Sequence, residues 1–98
     1  MADDEDSYIV YEGALKHSEE QGFTREDLIH AYRNIVYVFE QDEKFVMYVG
    51  PSRSGELMEV GVVPVRDYPE MTLIVHGFMP ARDQYLRLPD RPRRRRER

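Results

Sequence analysis

Ninety-eight residues, 41% of them hydrophobic and 34% charged, allow one modest core, and the lack of cysteine excludes disulfides and thiolate metal sites. Charges or proline interrupt every apolar run well short of a membrane span, and the acidic opening Met1-Ala2-Asp3-Asp4-Glu5-Asp6 is the reverse of a secretory signal, so no membrane partner and a cytoplasmic location are expected. Residues 1–88 hold 8 Lys/Arg against 17 Asp/Glu, while residues 89–98 hold 6 Arg against 2 acids; such a body draws phosphates only through a local basic patch or through its tail.

Residues 1–6 read as a disordered acidic terminus, 7–88 as one domain and 89–98 as a disordered Arg-rich tail. From Tyr8 to Gln21 the pattern predicts a helix, because Tyr8, Tyr11, Leu15 and Ser18 share one face. Ile9 and Val10 also suit the start of a short strand. Gly22 is a left-handed stop. Thr24-x-x-Asp27 is a capping box with Asp in place of the longer Glu, and it starts a second helix over Arg25 to Arg33, ended by Asn34. Leu28, Ile29 and Tyr32 form its expected buried stripe, with Glu26, His30 and Arg33 on the other side.

Ile35 to Phe39 is a strand by composition. Three more apolar segments follow, Lys44 to Gly50, Glu56 to Val63 and Met71 to His76, separated by clusters of Gly, Pro, Ser and Asp. Gly50 and Gly55 bracket the first turn, with Arg53 at its tip, and Arg66 to Glu70 reads as a loop. Pro80 suits the first turn of a short final helix over Ala81 to Leu88. The expected fold is α+β: two N-terminal helices packed on a four-stranded antiparallel meander, with that short C-terminal helix. Both sheet faces are apolar, so the face away from the two helices needs the last helix, a second copy or a partner protein as cover.

The run Gly50-Pro51-x-Arg53-x-Gly55-x-Leu57-x-Glu59-Val60, followed by His76 and Met79-x-x-Arg82, resembles the BrnT-type toxins of toxin–antitoxin pairs, and more closely their actinobacterial relatives. The match extends back through Lys16-His17 and Gly22-Phe23-Thr24-x-Glu26-Asp27 to His30-Ala31, covering roughly residues 14 to 86 by pattern. The resemblance implies a ribonuclease that a cognate antitoxin neutralises. The relatives read His-Ala-Met where this chain has His76-Gly77-Phe78-Met79, one residue more. Strand alternation has a period of two, so the extra residue requires a bulge, expected at Gly77, if His76 and Arg82 are to act together.

A metal-independent ribonuclease needs a base for the 2′-hydroxyl, an acid for the leaving 5′-oxygen and cations for the phosphorane charge. His76 and Arg82 are the leading catalytic candidates, with His17 beside them; Arg53, Arg33, His30 and Lys44 are candidates for binding RNA. Several have a purely structural reading as well. His76 suits a half-buried strand histidine bonded to a backbone carbonyl, Arg82 an ion pair with Asp83 or Glu59, Arg53 a solvated turn and His30 a pair with Glu26. Glu59, set among apolar neighbours, suits an inward carboxylate paired with an arginine or a guard against edge pairing. The three histidines lack helical ligand spacing, so neither metal nor cofactor is expected. The alternative function is a non-catalytic interaction module that binds a partner or itself through the apolar sheet face.

Overall fold

The computed structural model describes residues 7–40, 42 and 44–86. The expected unstructured ends lie outside the described residues. Nine segments follow one another: β1 (Tyr8–Val10), a 3-10 turn (Glu12–Leu15), α1 (Ser18–Gln21), α2 (Arg25–Arg33), β2 (Tyr37–Glu40), β3 (Val46–Pro51), β4 (Leu57–Val65), β5 (Tyr68–Phe78) and α3 (Asp83–Leu86). The α+β class holds, but the four-stranded antiparallel meander does not. The sheet has five strands in the order β1-β5-β4-β3-β2, and β1 runs parallel to β5.

The correction begins at Tyr8. The segment expected to form one helix from Tyr8 to Gln21 starts as a strand, because the outer edge of β5 offers it backbone partners. Thr72 N donates to Ser7 O and Tyr11 N donates to Ile74 O, both at 2.9 Å. Tyr8, Ile9 and Val10 are aromatic or β-branched and fit a pleated surface better than a helix. Only a 3-10 turn and the four residues of α1 remain helical, and Gly22, at φ 78°, closes α1 in the left-handed conformation as expected.

The capping box forms: Thr24 Oγ1 accepts from Asp27 N at 3.2 Å, and Asp27 Oδ2 accepts from Thr24 N at 2.9 Å. α2 spans Arg25–Arg33 with Asn34 as its C-cap. Its buried residues are Leu28 and Ala31, whereas the expected Ile29 and Tyr32 are half-buried. Ala31 takes the contact because α2 lies close on β3, where a methyl on Gly50 would run into the Ala31 carbonyl.

One sheet face carries Met58, Val60, Val62 and Ile74 and packs against Ala14, Phe23, Leu28 and Ala31. The other face carries Met47 and Val49. There the segment after β5 returns, Ala81 N donating to Leu57 O at 2.9 Å, and Ala81 joins Met47 and Val49 above half-buried Tyr37, Phe39, Phe45 and Leu57. The expected cover by the chain end is thus supplied by Ala81 and the turn before α3; α3 begins at Asp83 rather than at the expected Ala81, and Arg87 and Leu88 lie outside the described residues.

The β4–β5 ladder also corrects the expected bulge. Gly61 opposes His76 and Val62 opposes Ile74, which leaves Val75 as the extra residue. The bulge lies before His76, not at Gly77. Gly77 is regular, opposite Val60, and faces the helices; a methyl there would sit 3.0 Å from both the Ala14 carbonyl oxygen and Leu28 Cδ1. Glycine is required at this position for close packing rather than for a bend.

Candidate active site

The register that follows the bulge puts His76 and Phe78 on the sheet face that Glu59 shares. Glu59 is buried among apolar strands with no accessible surface, and four hydrogen bonds replace its water. Oε1 accepts from His76 Nε2 at 2.9 Å and from Arg82 Nη2 at 2.8 Å. Oε2 accepts from Arg82 Nε at 2.8 Å and from the Arg82 backbone amide at 2.9 Å. Burial alone would raise the carboxyl, but the bonds from Arg82 and His76 and the guanidinium charge outweigh it and hold the pKa at about 2. Glu59 is therefore an anion shared between the Arg82 guanidinium and a ring N–H of His76.

Two small features allow this arrangement. Gly61 leaves room for the His76 side chain, since a methyl there would fall 2.9 Å from His76 Cβ and closer still to the Phe45 ring. Phe78 then provides a common surface. The His76 ring lies parallel to it at 6.2 Å between centroids, the Arg82 guanidinium sits 4.5 Å from its centroid, and His17 meets its edge at 6.5 Å. Gln21 Oε1 accepts from Met79 N at 2.9 Å, which pins the end of α1, and with it the His17 turn, to the exit of β5.

The result is an open cleft of about 370 Å³ lined by Gly13, Lys16, His17, Val75, His76, Gly77, Phe78 and Arg82. All three residues expected to be catalytic, His76, Arg82 and His17, border it. His76 is 29% exposed and Arg82 47% exposed, so both reach solvent although their shared carboxylate does not. His17 Nδ1 lies 3.4 Å from Glu20 Oε1. Sequence reasoning missed Phe78 as the platform, Gly61 as the space for His76 and the place of Lys16 on the rim. A signal for Phe78 was present: it follows His76 by two residues, the period that shares a strand face. Glu59 carried a signal too, as a carboxylate flanked by Met58 and Val60 in a buried strand.

The residues expected to bind RNA divide. Arg53, Arg33 and His30 border a second cleft, of about 380 Å³, together with Glu26, Ile29 and Asn34. Arg53 is no free tip residue: Asp27 Oδ1 accepts from its backbone amide at 3.1 Å and from Nε at 3.2 Å. Burial would raise Asp27, but the bonds from Thr24 and Arg53 bring its pKa down to about 2. His30 does not pair with Glu26; its Nδ1 donates to Pro51 O at 2.9 Å. Lys44 lies apart from both clefts, in a hollow of about 480 Å³ with Val63, Pro64, Val65 and Arg66. Among the described residues no group of three or more His, Asp or Glu side chains converges as a metal ligand set.

Comparison of the chain with protein-family models, with curated proteins and with solved structures found no match.

Proposed function

We propose that this protein is the ribonuclease half of a toxin–antitoxin pair and that it cleaves RNA without a metal at the His17–His76–Arg82 cleft. The supporting observation is the buried Glu59 carboxylate, which joins a histidine and an arginine beneath a cation-bordered opening. A carboxylate only accepts, so His76 Nε2 carries the hydrogen shared with Glu59, and in the neutral ring Nδ1 keeps the lone pair. Glu59 thereby fixes the tautomer, as the carboxylate of a catalytic triad does. Nδ1 of His76 takes the proton of a ribose 2′-hydroxyl, and the 2′-oxygen attacks phosphorus. The 5′-oxygen leaves with a proton from protonated His17. The products are a 2′,3′-cyclic phosphate and a free 5′-hydroxyl. Arg82 and Lys16 offset the charge that builds on the phosphorane.

The test is single-stranded RNA incubated with purified protein in the presence of a chelator. Wild type yields fragments ending in 2′,3′-cyclic phosphate, and His76→Ala or Arg82→Ala, checked for folding, cuts about 10²-fold more slowly or worse. Equal cleavage by all three, or none by wild type at high enzyme, removes this reading.

A second reading is favoured by Val36, just before β2, and Val38 within it, which are 55% and 59% exposed at an edge of the described sheet. An apolar edge strand is a template for another chain's strand. A cognate antitoxin or a second copy that adds a strand here would make the protein an interaction module, with or without catalysis. Among the described residues no helix is long and apolar enough to cross a membrane. Growth scored with and without co-expression of the adjacent reading frame tests the pairing.

A further inference from the structure

The strand register gathers the cations of both clefts at one end of the sheet. Pro51 opposes Leu57 where β3 turns into β4, and Phe78 opposes Glu59 where β5 leaves the sheet. Arg53, in that turn, and Arg82, after β5, therefore sit at the same end. Their strands are two spacings apart, about 10 Å.

The second cleft has its own polar design. Arg53 is 56% exposed, yet its backbone amide and Nε are fixed on Asp27, and Nη2 lies 3.4 Å from Thr24 Oγ1. The guanidinium is held in one orientation and keeps further N–H donors for a ligand. Arg33 is exposed on the last turn of α2. Between them His30 is oriented by the Pro51 carbonyl. A carbonyl only accepts, so Nδ1 donates and, in the neutral ring, Nε2 is an acceptor. Asn34 Nδ2 donates to the His30 carbonyl at 2.8 Å and secures this end of the helix. Two guanidinium groups beside a nitrogen acceptor match an anion next to a hydroxyl donor. A phosphodiester followed by a ribose 2′-hydroxyl has that pattern, and a deoxyribose lacks the hydroxyl. Glu26 in the same lining disfavours a second negative charge, so a diester suits the cleft better than a monoester dianion.

We propose that the cleft between α2 and the β3–β4 turn holds one ribonucleotide of an RNA strand, with its phosphodiester on Arg33 and Arg53 and its 2′-hydroxyl donating to His30 Nε2. It rests on the proposed function only for the substrate class, and it predicts a preference for RNA over DNA that does not depend on cleavage.

The experiment measures anisotropy of a fluorescein-labelled uridine 12-mer and its deoxyuridine counterpart, with full-length His76→Ala as the uncleaving reference. RNA binds about tenfold tighter than DNA, the scale of one hydrogen bond to a polar group. Adding Arg33→Ala weakens both oligonucleotides alike. Adding His30→Asn, which keeps a donor for the Pro51 carbonyl and removes Nε2, lowers RNA to the DNA level and leaves DNA unchanged. Amide shifts at residues 29–34 and 53 in the RNA titration of the His76→Ala reference provide a readout that does not depend on the His30 or Arg33 variants folding. Equal binding of RNA and DNA, a His30→Asn effect on both or on neither, or unmoved amides at these positions overturns the site. Cleavage by wild type with no His30 effect sinks this site alone; a His30-dependent preference without cleavage sinks the ribonuclease reading alone.

Discussion

Glu59 gives up water entirely, and four donor hydrogens from His76 and Arg82 replace it. A buried charge tolerates this only while its partners stay. Glu59→Gln replaces an acceptor with an amide N–H facing the same donors, so urea unfolding should register a loss of about 3 kcal/mol, the lower end for breaking a buried pair because Arg82 can rehydrate. The pH dependence follows from the depressed pKa. Glu59 and Asp27 fall from 4.5 and 3.8 to about 2 on folding, so their contribution is present above the unfolded values and is lost as pH drops from about 4.5 to about 2. An acid titration of the melting temperature should show this limb, and Glu59→Gln should flatten much of it. If the variant keeps the full acid limb, the carboxylate is not an anion in the folded protein.

At the scale of elements, the helix start and the strand bulge make opposite kinds of prediction. Thr24 caps α2 and also contacts Arg53, so Thr24→Ala should cost about 1 kcal/mol and weaken the hold on the β3–β4 turn. Val75 is the extra residue in the β4–β5 ladder. Deleting it leaves His76 directly after Ile74, still opposite Gly61 and on the Glu59 face, so the fold and any RNA cleavage should survive. Deleting Gly77 instead turns Phe78 and the residues after it to the wrong face, because one residue inverts strand alternation. Melting curves and cleavage assays on the two deletions should separate; equal damage by both would mean that the register is held by something other than this ladder.

Over the whole molecule, charge opposes the proposed substrate. The 17 acids among residues 1–88 outnumber the 8 bases, and the 6 arginines of residues 89–98 supply the compensating sign. Truncation after Leu88 should therefore lower RNA affinity and flatten its salt dependence, since fewer phosphates are neutralised. The melting temperature should change little, because residues 89–98 are arginines, acids and prolines, with no other apolar side chain to offer a core. A drop of several degrees on truncation would show that the tail is docked. The tightest RNA binding is expected at low ionic strength, where the basic clefts at one sheet end act before salt screens them.

Features settled within a few residues were legible in the chain. The capping box at Thr24, the left-handed Gly22, the helix end at Asn34 and the turn tipped by Arg53 each depend on neighbours three or four positions away, and each stands where the sequence put it. An inward Glu59 with an arginine partner was one of the two readings the sequence offered, whereas the approach of His76 and Arg82 was expected only through a bulge at Gly77 and came instead through one at Val75. What the sequence could not carry was set by distant backbone. Tyr8, Tyr11 and Leu15 have a helical spacing, yet the edge of β5 drew Tyr8 to Val10 into a parallel strand. The bulge fell at Val75 because Gly77 was already committed to the packing of Ala14, Phe23 and Leu28. His30 and Arg53 found Pro51 and Asp27 rather than Glu26 and water, because α2 docks against the β3–β4 turn. Local hydrogen bonds and backbone preferences act over one turn and are written in order along the chain; strand edges and close contacts depend on which segments meet, and only the folded molecule decides that.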